Sequence, residues 1–110
     1  MYKNIFDTHA HYEDEQFDCD RDELLSSFPE NGISGVVTCG TDIITSEKSI
    51  ALAEKYPFIY AAVGFHALNL DSLTADWCGD IKKLAAQKKV VAIGEIGLDY
   101  HYERDSREKQ

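Results

Sequence analysis

Four short runs of β-branched and apolar residues punctuate the chain, at 2–6, 33–38, 58–63 and Val90–Ile93. Polar stretches with helical spacing lie between them. Residues 20–28 carry Leu24, Leu25 and Phe28 on one helical face. Acidic residues fill the first turn, where they complement the helix dipole, and Pro29 and Gly32 close the segment. Residues 46–56 place Ile50, Ala53 and Tyr56 together and stop before Pro57. Residues 74–87 offer Ile81, Leu84 and Ala85, and a fourth helix is expected to open at Asp105 or Ser106. This β/α alternation predicts an α/β fold, with near-continuous apolar strands in a parallel sheet covered by helices. Such sheets carry function at the C-terminal ends of their strands.

The polar residues that interrupt this pattern fall at those ends. The first strand runs into Asp7-Thr8-His9-Ala10-His11. Residues two apart in extended chain point the same way, so Asp7, His9 and His11 are expected to converge. Two imidazoles beside a carboxylate suit a divalent transition metal, although an HxH pair also occurs as plain surface histidines. The third strand ends in Gly64-Phe65-His66-Ala67, which puts His66 on the same rim. The fourth leads into Gly94-Glu95-Ile96-Gly97-Leu98-Asp99-Tyr100. Glu95, at the end of a strand expected to be buried, needs a partner, either a metal or a salt bridge. Gly94 and Gly97 would let backbone approach a ligand, and Asp99 could orient a ligand or a bound water. His101, Arg104 and Arg107 either meet an anionic substrate or solvate a helix start. Cys39-Gly40 reads as small-residue packing near the rim, and Trp77 as buried against the sheet.

Composition narrows the function. At 110 residues the chain holds one domain, and its 44% hydrophobic and 28% charged content is that of a globular protein. No apolar run approaches the ~18 residues of a membrane helix, and no signal peptide is visible, so a cytoplasmic setting without membrane contact is expected. The net charge of −9 excludes a basic surface for coating nucleic acid. Any nucleic acid would have to be handled at a confined site, with bound cations supplying positive charge. Seven of the carboxylates lie between Glu13 and Glu23 and read as a solvated loop and helix start. Cys19, Cys39 and Cys78 are odd in number and form no CxxC pair, which favours free thiols.

Taken together, the three rim motifs resemble the TatD family of metal-dependent deoxyribonucleases in order and spacing, across essentially the whole chain. The glycine-flanked Glu95 motif is the most specific; the HxH motif is shared with amidohydrolases and phosphoesterases. The resemblance implies a (β/α)8 TIM-type barrel holding two divalent metal ions, with zinc, manganese or magnesium as candidates. It implies that His9 and His11 bind one metal, that Glu95 bridges to the second, and that His66 lies beside the phosphate or the attacking water. Asp7 and Asp99 would support the site or the substrate. The reaction implied for the full-length form is hydrolysis of DNA phosphodiester bonds, from a 3′ end of single strands.

Two departures stand out. Ala67 occupies a position where the family usually has proline. The family's later ligands, two further histidines and an aspartate, have no counterpart, so residues 1–110 resemble the N-terminal half of a family member. Half a barrel exposes two strand edges, so self-association or a complementary half is expected for a chain of this length. Two rival functions stay open: an amidohydrolase acting on C–N or C–O bonds, and a non-catalytic assembly module.

Overall fold

The computed structural model describes residues 1–102 and 106–110. Four strands, β1 (Ile5–Ala10), β2 (Ile33–Cys39), β3 (Ile59–Val63) and β4 (Val90–Ile93), form one parallel sheet in the order β1-β2-β3-β4. Helices α1 (Arg21–Ser26), α2 (Ile43–Lys55) and α3 (Trp77–Ala85) connect them. Short 3-10 segments, Glu15–Phe17 and Ala67–Ser72, sit in the loops that leave β1 and β3. Sequential parallel strands with intervening helices are the arrangement of the first half of a (β/α)8 barrel.

The core lies between the helices and one face of the sheet. Leu25 of α1 and Ile50, Leu52 and Ala53 of α2 pack with Val36, Ile59, Ala61 and Val63. An aromatic chain, Tyr12–Phe28–Phe58–Tyr56, extends this packing along one flank. On the opposite face Phe6 stacks with Tyr60. Phe6 also lies flat over Gly35, where any Cβ would overlap its ring.

The four expected strands and the first three expected helices are present, with instructive shifts. The first strand was expected at 2–6 but runs Ile5–Ala10. Asn4 turns the chain at a φ of +58°, and ladder pairing opens with Ile5 opposite Ile33. Pairing to β2, rather than apolarity, therefore sets the strand and draws the polar motif into it. Helix α2 starts three residues before the expected Ser46. A reciprocal cap explains this, because the Asp42 carboxylate accepts the Thr45 N–H while the Thr45 hydroxyl accepts the Asp42 N–H.

Two burial expectations fail. β4 is an edge strand, and Val91 and Ile93 are more than half exposed. Trp77 opens α3 and is 50% exposed; it borders a cavity of about 330 Å³ with Phe65, Leu70 and Ile81 rather than packing flat on the sheet. Of the expected fourth-helix start at Asp105 or Ser106, Asp105 and the neighbouring Arg104 lie outside the described residues, and the described residues 106–110 form no α-helix.

Candidate metal centre

The first and last rim motifs meet although they come from opposite edges of the sheet. Nε2 of His9 lies 3.2 Å from Nε2 of His11 and 3.2 Å from Oε2 of Glu95. Nε2 of His11 lies 3.1 Å from the same oxygen. The three ligand atoms all fall within 4.8 Å of one another. On a flat sheet β1 and β4 would stand about 14 Å apart, three interstrand spacings. The sheet therefore curls strongly enough for side chains from its first and last strands to touch.

Hydrogen-bond partners assign the protons. Nδ1 of His11 lies 2.8 Å from the Cys39 carbonyl oxygen, which can only accept. The neutral ring therefore carries its proton on Nδ1 and turns a bare lone pair toward Glu95. His66 is the reverse case. Its Nδ1 accepts the Leu68 N–H at 3.0 Å, so its Nε2 carries the proton and faces Oε1 of Glu95 at 3.5 Å. A lone pair of His11 opposite a carboxylate oxygen is repulsive unless a cation lies between them, either a second proton on His11 or a metal ion. Donors about 2.1 Å from a tetrahedral zinc stand about 3.4 Å apart, close to the spacings seen. Two imidazole nitrogens and a carboxylate oxygen also suit zinc or manganese.

Backbone contacts fix Glu95 and His66 to one loop. The Glu95 N–H donates to the Gly40 carbonyl at 2.7 Å, and the His66 N–H to the Thr41 carbonyl at 2.9 Å. The Gly40 N–H donates in turn to Ala62. A Cβ on Gly40 would overlap Ser46, so the expected small-residue packing at this position is present. Ser46 is fully buried, and its hydroxyl accepts the Gly64 N–H at 3.2 Å.

Asp7 and Asp99 stand outside the three-ligand cluster. The four residues of β1 from Asp7 to Ala10 oppose the three of β2 from Val36 to Thr38. This bulge breaks the strict alternation that aligned Asp7 with the histidines. The Asp7 carboxylate instead accepts the His9 N–H at 3.1 Å. Asp99 accepts the N–H groups of His101 and Tyr102. The Tyr102 N–H, helped by that of His101, holds its carboxyl below the ordinary range. His101 packs on Tyr102, and the Arg107 guanidinium lies over the Tyr100 ring.

One residue of the acidic run differs from the solvated reading. Asp14 caps a 3-10 turn, Asp18 pairs with Arg21, and Asp22 pairs with Lys55, all at the surface. Glu13 is buried and accepts the Thr38 hydroxyl at 2.6 Å. Its other oxygen lies 3.3 Å from Nδ1 of His11. The signal was the period of two that runs through His9, His11 and Glu13, which the charge of the run obscured.

The chain is similar over nearly its whole length to several known proteins. An uncharacterized metal-dependent hydrolase of Bacillus subtilis, YabD, is 40% identical over 106 residues, which is 96% of this chain and 42% of the relative. A 3′-5′ ssDNA/RNA exonuclease TatD of Pantoea ananatis is 31% identical over 107 residues, 96% of this chain and 41% of the relative. The crystal structure of YJJV, a TatD homolog from Escherichia coli, superimposes with a TM-score of 0.83 at 29% identity, over 96% of this chain and 41% of that one. A TatD-family hydrolase of Entamoeba histolytica gives 0.79 at 25% identity, over 91% of this chain and 39% of that one. The chain thus spans about two fifths of the length of these relatives. The sequence profile described as TatD related DNase matches residues 6–110, and the chain accordingly belongs to the TatD-related DNase family.

Proposed function

We propose that the chain carries the first ligand set of a divalent-metal-dependent hydrolase that cleaves DNA phosphodiester bonds, working from the 3′ end of single strands. The observation that carries this reading is the convergence of His9, His11 and Glu95 on one point, with a proton-bearing His66 nitrogen beside it. His9 and His11 would hold one ion through Nε2. Glu95 would help to hold that ion and could also contribute to a second one. Divalent ions bound here would neutralise phosphate oxygens and lower the pKa of a bound water toward neutrality.

The remaining roles belong to the protein's own groups. The Nε2–H of His66 is a fixed donor that can meet a phosphate oxygen or hold the attacking water. Asp7 stiffens the strand that bears His9, and Asp99 shapes the loop beyond Glu95. The acidic surface is compatible with this chemistry, because a strand end needs few phosphate contacts. The named activity of the Bacillus subtilis relative supports a metal-dependent hydrolase, and that of the Pantoea ananatis relative supports a 3′-5′ nuclease on single strands. The free thiols fit a reducing compartment such as the cytoplasm. Among the described residues no helix is long and apolar enough to cross a membrane.

The test, made on the full-length form that also carries the family's later ligands, is release of nucleotides from a single-stranded oligonucleotide with added zinc, manganese or magnesium, with lactones and cyclic amides assayed in parallel. Metal-dependent nucleotide release that disappears in Glu95→Gln is expected. Turnover of the lactones or amides with no attack on the oligonucleotide would replace this reading with an amidohydrolase.

A further inference from the structure

We propose that Glu13 is a positioning residue for the metal-facing nitrogen of His11, and that the Thr38 hydroxyl holds Glu13 for this purpose. The inference rests on the reading that His9, His11 and Glu95 hold a divalent ion, and assigns a role to a side chain outside that set. Glu13 has a side chain only 3% exposed, in a chain with an excess of acidic groups at its surface. A carboxyl group is costly to bury unless it is hydrogen-bonded or paired. Neither oxygen of Glu13 forms an ion pair with lysine or arginine among the described residues. Arg21, the nearest arginine in sequence, gives its guanidinium to the backbone carbonyls of Tyr12, Glu13 and Asp14 and to the Asp18 carboxylate.

What Glu13 does receive is specific. Oε2 accepts the Thr38 hydroxyl at 2.6 Å, and Oε1 lies 3.3 Å from Nδ1 of His11. Both oxygens face donors, so the group acts as an acceptor-only carboxylate. Thr38 is itself fully buried on β2. The Nδ1–H of His11 therefore lies between two acceptors, the Cys39 carbonyl at 2.8 Å and the Glu13 carboxylate. The carbonyl sets the direction of the ring. The carboxylate adds negative charge behind it, which favours the Nδ1–H form and makes Nε2 a stronger electron-pair donor toward a cation in front. Metal-bound histidines commonly give their second N–H to a carboxylate or carbonyl in this way. A negative charge buried without a cationic side chain becomes intelligible when positive charge arrives on the far side of the imidazole.

A merely structural Glu13 would tie the loop after β1 to β2 through Thr38 and leave metal affinity alone. Two readouts on the full chain separate the roles: zinc and manganese affinity by titration calorimetry, and the ¹⁵N shifts of the His11 ring nitrogens in metal-free protein. Glu13→Gln keeps the shape and an acceptor for Thr38 but removes the charge. It is expected to weaken metal binding about 10- to 100-fold and to shift the His11 ring-nitrogen signals, with the proton kept on Nδ1 by the Cys39 carbonyl. Thr38→Val is expected to shift both readouts in the same direction, and Thr38→Ser to restore them. Wild-type affinity and unshifted nitrogens in Glu13→Gln would overturn the proposal. If Glu13→Gln does not fold, the Thr38 pair decides, and a Thr38→Val chain with wild-type values overturns it. If the wild-type chain binds no metal, the metal-centred function fails, while the nitrogen shifts of the metal-free variants still decide the role of Glu13.

Discussion

The backbone N–H of Glu95 donates to the carbonyl of Gly40 at 2.7 Å. This bond fixes the height of the carboxylate above the sheet from a loop that contributes no ligand of its own. Gly64 makes the close approach possible, because a Cβ there would lie 2.9 Å from the Glu95 carbonyl oxygen and from the Gly94 carbonyl carbon. Gly64→Ala is therefore expected to push the Glu95 segment outward. Overpacking of this kind costs about 1–3 kcal/mol. Metal affinity should fall as well, because Glu95 leaves its position opposite His9 and His11. Thermal melts and metal titrations on the same variant check both effects.

Metal removal should be visible as lost stability. A ligand at one hundred times its dissociation constant stabilises the folded state by about 2.7 kcal/mol. Chelation is expected to lower the melting temperature of the wild-type chain. In Glu95→Gln the same chelator should change it far less. A wild-type melting temperature that does not respond to zinc, manganese or chelator would contradict the assigned ligand set.

The Asp22 pair predicts an acid limb. The Lys55 ammonium, at 2.6 Å, is the main reason the Asp22 carboxyl titrates below its ordinary range, with the Tyr56 hydroxyl second. Its folded value is thus depressed relative to the unfolded chain. The stability this pair contributes is complete above the unfolded value of about 3.9 and is lost as pH falls through the folded one. Both charges are exposed, so the effect is small. Melting temperatures measured across the acid range should fall less steeply in Asp22→Asn than in the wild type.

Core packing gives a contrast between two aliphatic residues. Leu25 is fully buried against Val36 and the α2 face, whereas Ile44 is 65% exposed on α2. Leu25→Ala is expected to cost about 2–5 kcal/mol. Ile44→Ala should stay within about 0.5 kcal/mol apart from its helix propensity. Chemical denaturation of the two variants is the check.

The legibility of the sequence followed the physics of each feature. β4 could be bounded to the residue because its apolar run and its ladder coincide. β1 could not, because its limits are set by pairing with β2 and by the turn at Asn4. The convergence of His9, His11 and Glu95 could be anticipated because all three lie at or near the ends of parallel strands, on one rim. Asp7 was misaligned by a bulge that leaves no local trace in composition. Glu13 was hidden by its acidic neighbours, since net charge describes a segment and burial describes one side chain. The Gly40 carbonyl that orients Glu95 is backbone, and no residue identity announces it.

The curl that brings the first and last strands together has a mechanical corollary. Without an ion, the bare lone pair of a neutral His11 faces the Glu95 carboxylate across the rim, a contact that only a second proton on the ring makes favourable. With an ion, the same groups become a clasp joining the two edges of the sheet. Curvature and affinity are then reciprocal quantities. Whatever flattens the sheet, even a change on the far face such as the seating of Phe6 over Gly35, should register as weaker metal binding. Tighter binding should in turn hold the two open edges at a fixed separation.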